Sequence, residues 1–221
     1  MLTPSEPIVA MPTAGRILVL FAHPSPVRSE ANAPMAAAAR RLDGVTFVDL
    51  YAEYPALEID VDREQQRLRG HDVICFQHPL YWYSTPAILK EWQDLVLEHG
   101  FAYGAGGTAL RGKVFFSAIT ASGAEAAYCA AGYHNFSIRE LLRPLEQTAR
   151  LCGMTYLPPF ALFGAGTAVD EGRIHAHVAD WVRLLTALRD GRLDMARAAS
   201  LPRLNHDLDG LLGAVGAALE G

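Results

Sequence analysis

Polar residues suited to binding an anion follow an apolar run near the start of the chain. The run 17–22 predicts a buried strand, and residues 23–26, His-Pro-Ser-Pro, cannot continue it as strand or helix. Ser29-Glu30-Ala31-Asn32 then leads into an Ala-rich segment, 33–41, that predicts a helix. Free N–H groups at a helix start, together with Ser and Asn side chains, can hold a phosphate. The pattern indicates an anion site, although Ser and Asn are also ordinary helix caps.

The glycine patterns of the common nucleotide loops do not occur after this strand. There is no Gly-x-Gly-x-x-Gly and no Gly-Lys-Ser/Thr in the segment. A phosphate here would therefore be held by hydroxyl groups and backbone N–H groups.

A second segment places three aromatic residues in a row, Tyr81, Trp82 and Tyr83, between Pro79 and Pro86. Such a stretch makes a poor strand and a poor helix, which predicts a rigid loop. Aromatic faces and backbone amides in a loop could line a flat ring system. The alternative is a hydrophobic plug over the sheet edge or a contact between subunits.

A third segment combines small residues with a tyrosine and a histidine. Thr120-Ala121-Ser122-Gly123 follows an apolar run, and small residues let a ligand approach the backbone closely. Tyr128 and His134 come shortly afterwards, and such a pair can donate protons or hydrogen bonds to developing negative charge. The alternative is that both are incidental loop residues.

The elements that must position these segments alternate along the chain. Apolar runs predict five strands, at 17–22, 46–50, 72–77, 113–119 and 154–163, the last interrupted by Pro158-Pro159. Helices are predicted at 33–41, 60–69, 87–99, 137–152 and 174–188, with residues 201–219 as one further helix. The alternation predicts an α/β fold with a parallel sheet covered on both faces. Ligands then bind beyond the carboxyl ends of the strands, where all three segments lie.

Length and composition restrict the class of protein. The chain has 221 residues, 51% of them hydrophobic, which is sufficient for one α/β core. We expect a flexible N-terminal tail at 1–15, one domain at 16–190 and a C-terminal extension at 191–221. The net charge of −5 argues against nucleic acid as a partner. Three cysteines without Cys-x-x-Cys spacing favour the reducing cytoplasm, and no His/Cys cluster has metal-site spacing.

Taken together, the segments resemble the flavodoxin-like quinone reductases, a family that includes the mammalian NAD(P)H quinone dehydrogenases. Within it, the chain is most similar to bacterial ancillary subunits of glutathione-regulated potassium-efflux systems. The resemblance covers residues 16–181 and implies a five-stranded sheet of order 2-1-3-4-5. It rests on Ala-His-Pro at 22–24, Ser-Glu-Ala-Asn at 29–32, residues 77–90 with His-Pro and Trp-Tyr, and residues 101–104 and 107–113.

The resemblance also implies a role for each residue of the three segments. Those expected to hold the flavin phosphate are His23, Ser29, Ala31 and Asn32, with the backbone of Glu30. Those expected beside the flavin ring are Leu80, Tyr81, Trp82 and Tyr83, with Thr120, Ala121, Ser122 and Gly123 as the opposite wall. Tyr128 and His134 fall where the family has its catalytic pair. The family commonly has Thr-Thr-Gly-Gly where this chain has Thr-Ala-Ser-Gly at 120–123.

The implied function is a flavin-dependent NAD(P)H:quinone reductase working by two-electron ping-pong hydride transfer. FMN is the expected flavin and FAD the alternative, because Asp49-Leu50-Tyr51 is similar to the FAD-using members. Two other functions stay open: a regulatory ancillary subunit of a potassium-efflux antiporter, and an azoreductase or nitroreductase of the same fold. We expect a cytoplasmic homodimer, located at the inner membrane if a transporter is its partner.

Overall fold

The computed structural model describes residues 15–213, which form a parallel β-sheet with helices on both faces. The sheet order is β2-β1-β3-β4-β5, as predicted, and a sixth short strand, β6, also pairs with β4. The strands are β1 Ile17–Phe21, β2 Val45–Asp49, β3 Val73–Pro79, β4 Val114–Thr120, β5 Thr155–Tyr156 and β6 Phe160–Leu162. The predicted N-terminal tail lies outside the described residues, except for Gly15.

Nine α-helices occur between residues 15 and 213, and several begin at a capping side chain. Asp49, Asp60, Ser137 and Asp194 each accept a backbone N–H of the following helix. The helices are α1 Asn32–Ala39, α2 Leu50–Glu53, α3 Val61–Arg69, α4 Ala87–Val96, α5 Ile138–Leu141, α6 Arg143–Leu151, α7 Arg173–Arg189, α8 Met195–Ser200 and α9 Leu208–Gly213. Single 3-10 turns occupy Pro26–Arg28, Glu125–Ala127 and Leu204–His206.

Proline accounts for three differences from the predicted elements. The third strand does not stop at Gln77 but runs to Pro79, which can end a strand because its missing N–H is not needed there. The helix predicted at 137–152 is divided into α5 and α6, because Pro144 cannot donate to the preceding turn. The predicted fifth strand is likewise divided into β5 and β6 by the prolines at 158 and 159.

Other boundaries move for reasons the apolar pattern does not contain. The helix predicted at 87–99 ends at Val96, and Leu95 near its end is 38% exposed although it is apolar. The helix predicted at 201–219 is replaced by the 3-10 turn Leu204–His206 and α9, with α8 preceding them. The last six residues of that prediction lie outside the described part of the chain.

Two apolar layers cover the sheet. One face packs against α3, α4 and α6, with Trp92 at its centre. The opposite face packs against α1 and α7, with Trp181 fully buried. The strands are therefore buried on both sides, as their continuous apolar runs require.

The described part of the C-terminal extension, residues 191–213, packs onto the second layer through Leu193, Leu204 and other apolar side chains. The Asn205 side chain binds β6 directly: its Oδ1 accepts from Ala161 N–H at 3.0 Å, and its Nδ2 donates to the Ala161 carbonyl at 2.9 Å. No helix between residues 15 and 213 is long and apolar enough to cross a membrane.

Candidate functional site

The three predicted segments converge at the carboxyl ends of β1, β3 and β4. The Asn32 side chain, at the start of α1, donates from Nδ2 to the hydroxyl of Thr120 at 2.8 Å. Gln77, near the end of β3, donates from Nε2 to the Asn32 carbonyl at 3.1 Å. These bonds hold the start of α1 against the centre of the sheet edge, where ligands of open parallel sheets bind.

The turn before α1 offers backbone N–H groups to a ligand. The Ser29 hydroxyl oxygen accepts the Asn32 N–H at 2.9 Å, which leaves the hydroxyl proton free to donate. The N–H groups of Glu30 and Ala31 have no hydrogen-bond acceptor within residues 15–213. Free donors at a helix start attract anions, because they add to the positive end of the helix dipole.

His23 lies beside this turn as a neutral donor. Its side chain is only 5% exposed, and its Nδ1 accepts the Ser25 N–H at 3.1 Å. Burial lowers the pKa of His23 below its ordinary value, an effect that the Asp49 carboxylate partly offsets. With Nδ1 as acceptor, the ring proton sits on Nε2, which can donate to an anion at neutral pH.

The aromatic segment forms a tight turn, Tyr81 to Ser84, closed by a bond of 3.0 Å from Ser84 N–H to the Tyr81 carbonyl. Its two central residues, Trp82 and Tyr83, have φ of 48° and 63°, as in the type I′ turns that favour Asn and Gly. Bulky residues held there cost of order 1–3 kcal/mol each. Trp82 is nevertheless 92% exposed, so packing in the described chain does not compensate for its strain.

This aromatic turn also presents donors. The N–H groups of Trp82 and Tyr83 have no acceptor in the described part of the chain, whereas Leu80 N–H donates to the Thr120 carbonyl at 2.8 Å. Tyr81 meets His23 edge-on with 6.1 Å between ring centroids. The turn thus connects His23, beside the turn before α1, to an exposed set of aromatic rings.

Tyr128 and His134 form a stacked pair, with 4.2 Å between ring centroids and 27° between planes. Gly123 lies directly against this pair: a Cβ there would come within 2.6 Å of His134 Nε2 and 3.1 Å of Tyr128 Cε2. Any side chain at residue 123 would displace the pair. This close approach explains why the third segment ends in a glycine at residue 123.

The pair also contacts the aromatic turn. The Tyr83 hydroxyl lies 3.3 Å from His134 Nδ1, and their ring centroids are 5.5 Å apart. Burial is the main cause that raises the pKa of Tyr128; the nearby Tyr83 also raises it, and the Gly123 N–H opposes the shift. Tyr128 is therefore a neutral phenol at physiological pH, able to donate a proton or a hydrogen bond.

The remaining members of the small-residue wall differ in what they can offer. The Ala121 N–H is used by the Leu162 carbonyl at 2.8 Å, so Ala121 offers only its buried methyl group. Gly123 accepts from Gly164 N–H at 2.9 Å, which ties the wall to the turn after β6. Ser122 is exposed.

Two residues of the site had no predicted role. Gln77 is fully buried, and its Oε1 has no hydrogen-bond partner within residues 15–213; the same is true of Asn32 Oδ1. Phe163 packs on Tyr128, with 5.3 Å between ring centroids. A glutamine inside an apolar run was the available signal for Gln77, whereas Phe163 is indistinguishable by sequence from other core residues.

Several proteins are similar to this chain in sequence or in structure. The ancillary protein KefG of a glutathione-regulated potassium-efflux system from Serratia proteamaculans is 47% identical over 171 residues, or 76% of this chain and 93% of KefG. General stress protein 14 from Treponema denticola, solved in complex with FMN, is 37% identical with a TM-score of 0.74, covering 78% of this chain and 99% of that one. An NADPH-quinone reductase from P. pentosaceus is 31% identical with a TM-score of 0.69, covering 76% and 96%.

The model of one protein family, described as having a flavodoxin-like fold, matches residues 15–185, which contain all three segments of the site. The sheet order and the position of the site at the carboxyl ends of the strands agree with that match. The chain belongs to the flavodoxin-like family that includes the KefG ancillary proteins and general stress protein 14.

Proposed function

We propose that this protein is a flavin-dependent NAD(P)H:quinone reductase with FMN as its cofactor. The observation that carries the proposal is a convergence at one sheet edge. Free backbone N–H groups lie at residues 30–31 and 82–83, beside the stacked pair Tyr128–His134. FMN matches these features, because its phosphate is an anion, its flat ring carries hydrogen-bond acceptors, and its chemistry needs a proton donor. General stress protein 14 of Treponema denticola, which shares this fold, was solved with FMN.

The residues present fit FMN. Ser29, the Nε2–H of His23 and the N–H groups of residues 30–31 would hold the phosphate. The buried acceptors Asn32 Oδ1 and Gln77 Oε1 would receive hydroxyl groups of the sugar-alcohol chain. The N–H groups of Trp82 and Tyr83 would donate to the carbonyl oxygens of the ring. When bound, the flavin supplies the two-electron hydride chemistry between NAD(P)H and the quinone, in two half-reactions.

The Tyr128–His134 pair would supply charge stabilisation and protons. Because the pKa of Tyr128 is raised, its phenol stays protonated and can donate to negative charge beside it. Stacking holds the two rings in register, and the Tyr83 hydroxyl is a hydrogen-bond partner for His134 Nδ1. The exposed ring of Trp82 would offer a stacking surface for a flat nicotinamide or quinone.

The test is an absorption spectrum of the purified protein after incubation with FMN or FAD and removal of excess flavin. We expect a retained flavin absorption band at about 450 nm with FMN, which is bleached by NADH or NADPH and restored by a quinone. Equal loading with FAD would change the cofactor assignment. An azo dye and a nitroaromatic compound, offered at the same concentration as the quinone, separate the azoreductase and nitroreductase alternatives. A protein that retains neither flavin contradicts the proposal.

The second candidate function is a regulatory subunit of a potassium-efflux antiporter, favoured by the 47% identity to KefG. The protein would then be recruited from the cytoplasm to the inner membrane. Co-purification with the antiporter from detergent-solubilised membranes, and a change in potassium efflux when the gene is deleted, would support this role. Antiporter activity that is unchanged by the deletion would contradict it.

We further propose that the protein is a homodimer. The exposed Trp82 and the loop at residues 101–107, whose Gly104 and Gly106 both have positive φ, are suited to contact a second subunit beside the flavin. Sedimentation equilibrium of the flavin-loaded protein tests this, and a monomer at micromolar concentration would contradict it.

A further inference from the structure

The C-terminal extension contacts both ends of the segment that carries Tyr128 and His134. At the first end, Arg203 makes a bidentate pair with Glu125, from Nε to Oε1 at 3.0 Å and from Nη2 to Oε2 at 2.9 Å. At the second end, Arg139 donates from Nη1 to the carbonyls of Ala199 and Leu201, at 3.3 and 3.2 Å. The two contacts enclose residues 125–139.

The extension is itself firmly attached to the sheet at the two residues that follow Arg203. Leu204 is fully buried, and its N–H donates to the Pro159 carbonyl at 2.9 Å. Asn205, the next residue, binds the backbone of Ala161 in β6. Arg203 also donates from Nη1 to the Asn205 carbonyl at 2.6 Å, so its guanidinium is oriented before it meets Glu125.

Between its two ends, the enclosed segment is held mainly by the packing of Tyr128 on Phe163 and of His134 on Tyr83. Apart from the 3-10 turn Glu125–Ala127 it has no regular structure before Ile138, and most of its side chains are exposed. Its internal bonds, such as His134 N–H to the Ala127 carbonyl at 2.9 Å, fix its shape but not its position on the sheet. Segments with few buried contacts open locally at low free-energy cost, so attachments at the ends matter.

We propose that the C-terminal extension is a clamp that holds Tyr128 and His134 in their working position, with Arg203 and Arg139 as positioning residues. The family match ends at residue 185, so the clamp lies beyond the matched fold. The inference rests on the proposed function only for its catalytic consequence, because the contacts themselves are independent of flavin.

The predicted signature is a change in dynamics and rate without a matching change in stability. An ion pair with one partner largely exposed contributes little to the stability of the fold, whereas misplacement of a reacting group by 1 Å can cost about 100-fold in rate. The Glu125 carboxylate is 56% exposed, which places this pair in the first category.

The experiment compares Arg203→Gln, Glu125→Gln and Arg139→Gln with the wild-type protein. Hydrogen–deuterium exchange of residues 125–139, measured without flavin, should become about tenfold faster in each variant. The rate of flavin reduction at saturating NAD(P)H should fall about 5- to 50-fold, while KM and the flavin dissociation constant stay within twofold.

Arg183→Gln is the matched control. It breaks the exposed pair between Arg183 and Asp209 of the same extension, far in sequence from residues 125–139. The charge-swapped double variant Glu125→Arg with Arg203→Glu should restore slow exchange. The clamp is overturned if Arg203→Gln leaves exchange and reduction within twofold of wild type, if Arg183→Gln has the same effect, or if the swap fails to restore slow exchange. A protein that retains no flavin refutes the proposed function instead, and the exchange measurement still decides the clamp.

Discussion

The side-chain amide of Asn32 and the hydroxyl of Thr120, 88 positions apart in the chain, are joined by a buried hydrogen bond of 2.8 Å. The bond connects the first residue of α1 to the last residue of β4. It therefore couples the proposed phosphate-binding turn to the small-residue wall that is proposed to face the flavin ring.

Replacing Thr120 by Val removes the acceptor and leaves the buried Asn32 amide without a partner. We expect the free energy of unfolding to fall by about 1–3 kcal/mol and the FMN dissociation constant to rise by about tenfold. Urea unfolding of the flavin-free protein and an FMN titration measure the two effects. Thr120→Ser keeps the hydroxyl and should behave as wild type; equal behaviour of the Val and Ser variants would contradict the role of this bond.

The sequence predicts the participants of this bond but not the bond itself. Continuous apolar runs indicate buried strands because both faces of a parallel sheet are covered, and the polar residues that follow mark the binding edge. That Asn32 meets Thr120 depends on the register of β1, β3 and β4, which local sequence does not encode. The left-handed Trp82 and Tyr83 were likewise unpredictable, because their own propensities oppose that conformation.

The stacked pair leads to a prediction about rate. Tyr128→Phe combined with His134→Gln should slow flavin reduction by about 100-fold, the lower end of the usual range for lost general acid–base catalysis, with flavin binding nearly intact. Stopped-flow reduction at saturating NAD(P)H measures the rate, and a flavin titration measures the binding.

Tyr133→Phe is the control for that experiment, since Tyr133 also contacts His134 edge-on but is 86% exposed. Its reduction rate should match wild type. An unchanged rate in the Tyr128/His134 double variant would remove both residues from the mechanism.

The strained aromatic turn predicts that replacing Trp82 raises the stability of the fold and weakens binding of the quinone. Asn tolerates positive φ better than Trp does, and little packing is lost because Trp82 is 92% exposed. Trp82→Asn should therefore raise the free energy of unfolding by up to about 1 kcal/mol, while KM for the quinone rises severalfold. Thermal unfolding of the flavin-free protein and steady-state kinetics test the two halves. Lower stability in this variant would show that the ring packs on something essential to the fold.

Two buried histidines predict an acid-sensitive fold. Burial lowers the pKa of both His78 and His177 from 6.5 to about 4, so the unfolded chain binds more protons between these pH values. The contribution of the two histidines to the free energy of unfolding is fully present above pH 6.5 and is lost as the pH drops toward 4. The loss is roughly 3 kcal/mol for each histidine, at about 1.4 kcal/mol per pKa unit.

His177→Phe isolates one of these contributions. The His177 ring packs on Phe160 at a tilt of 31°, with 4.5 Å between ring centroids, and its Nε2 has no partner within residues 15–213, so a phenyl ring can take its place. Urea unfolding between pH 4 and 7.5 should show a shallower pH dependence in the variant. Identical slopes in the two proteins would exclude His177 as a source of the acid sensitivity.

The hydrogen bonds between Asn205 and Ala161 have a consequence for self-association of the protein. β6 is bound to β4 on one side only, and a bare strand edge is a template on which another chain can add a strand. The Asn205 amide occupies the outward N–H and carbonyl of the central residue of β6, so no neighbour can pair there. A chain shortened to residue 190 would expose that edge, and we expect it to aggregate. The extension thus prevents a strand of another chain from adding to the sheet at β6.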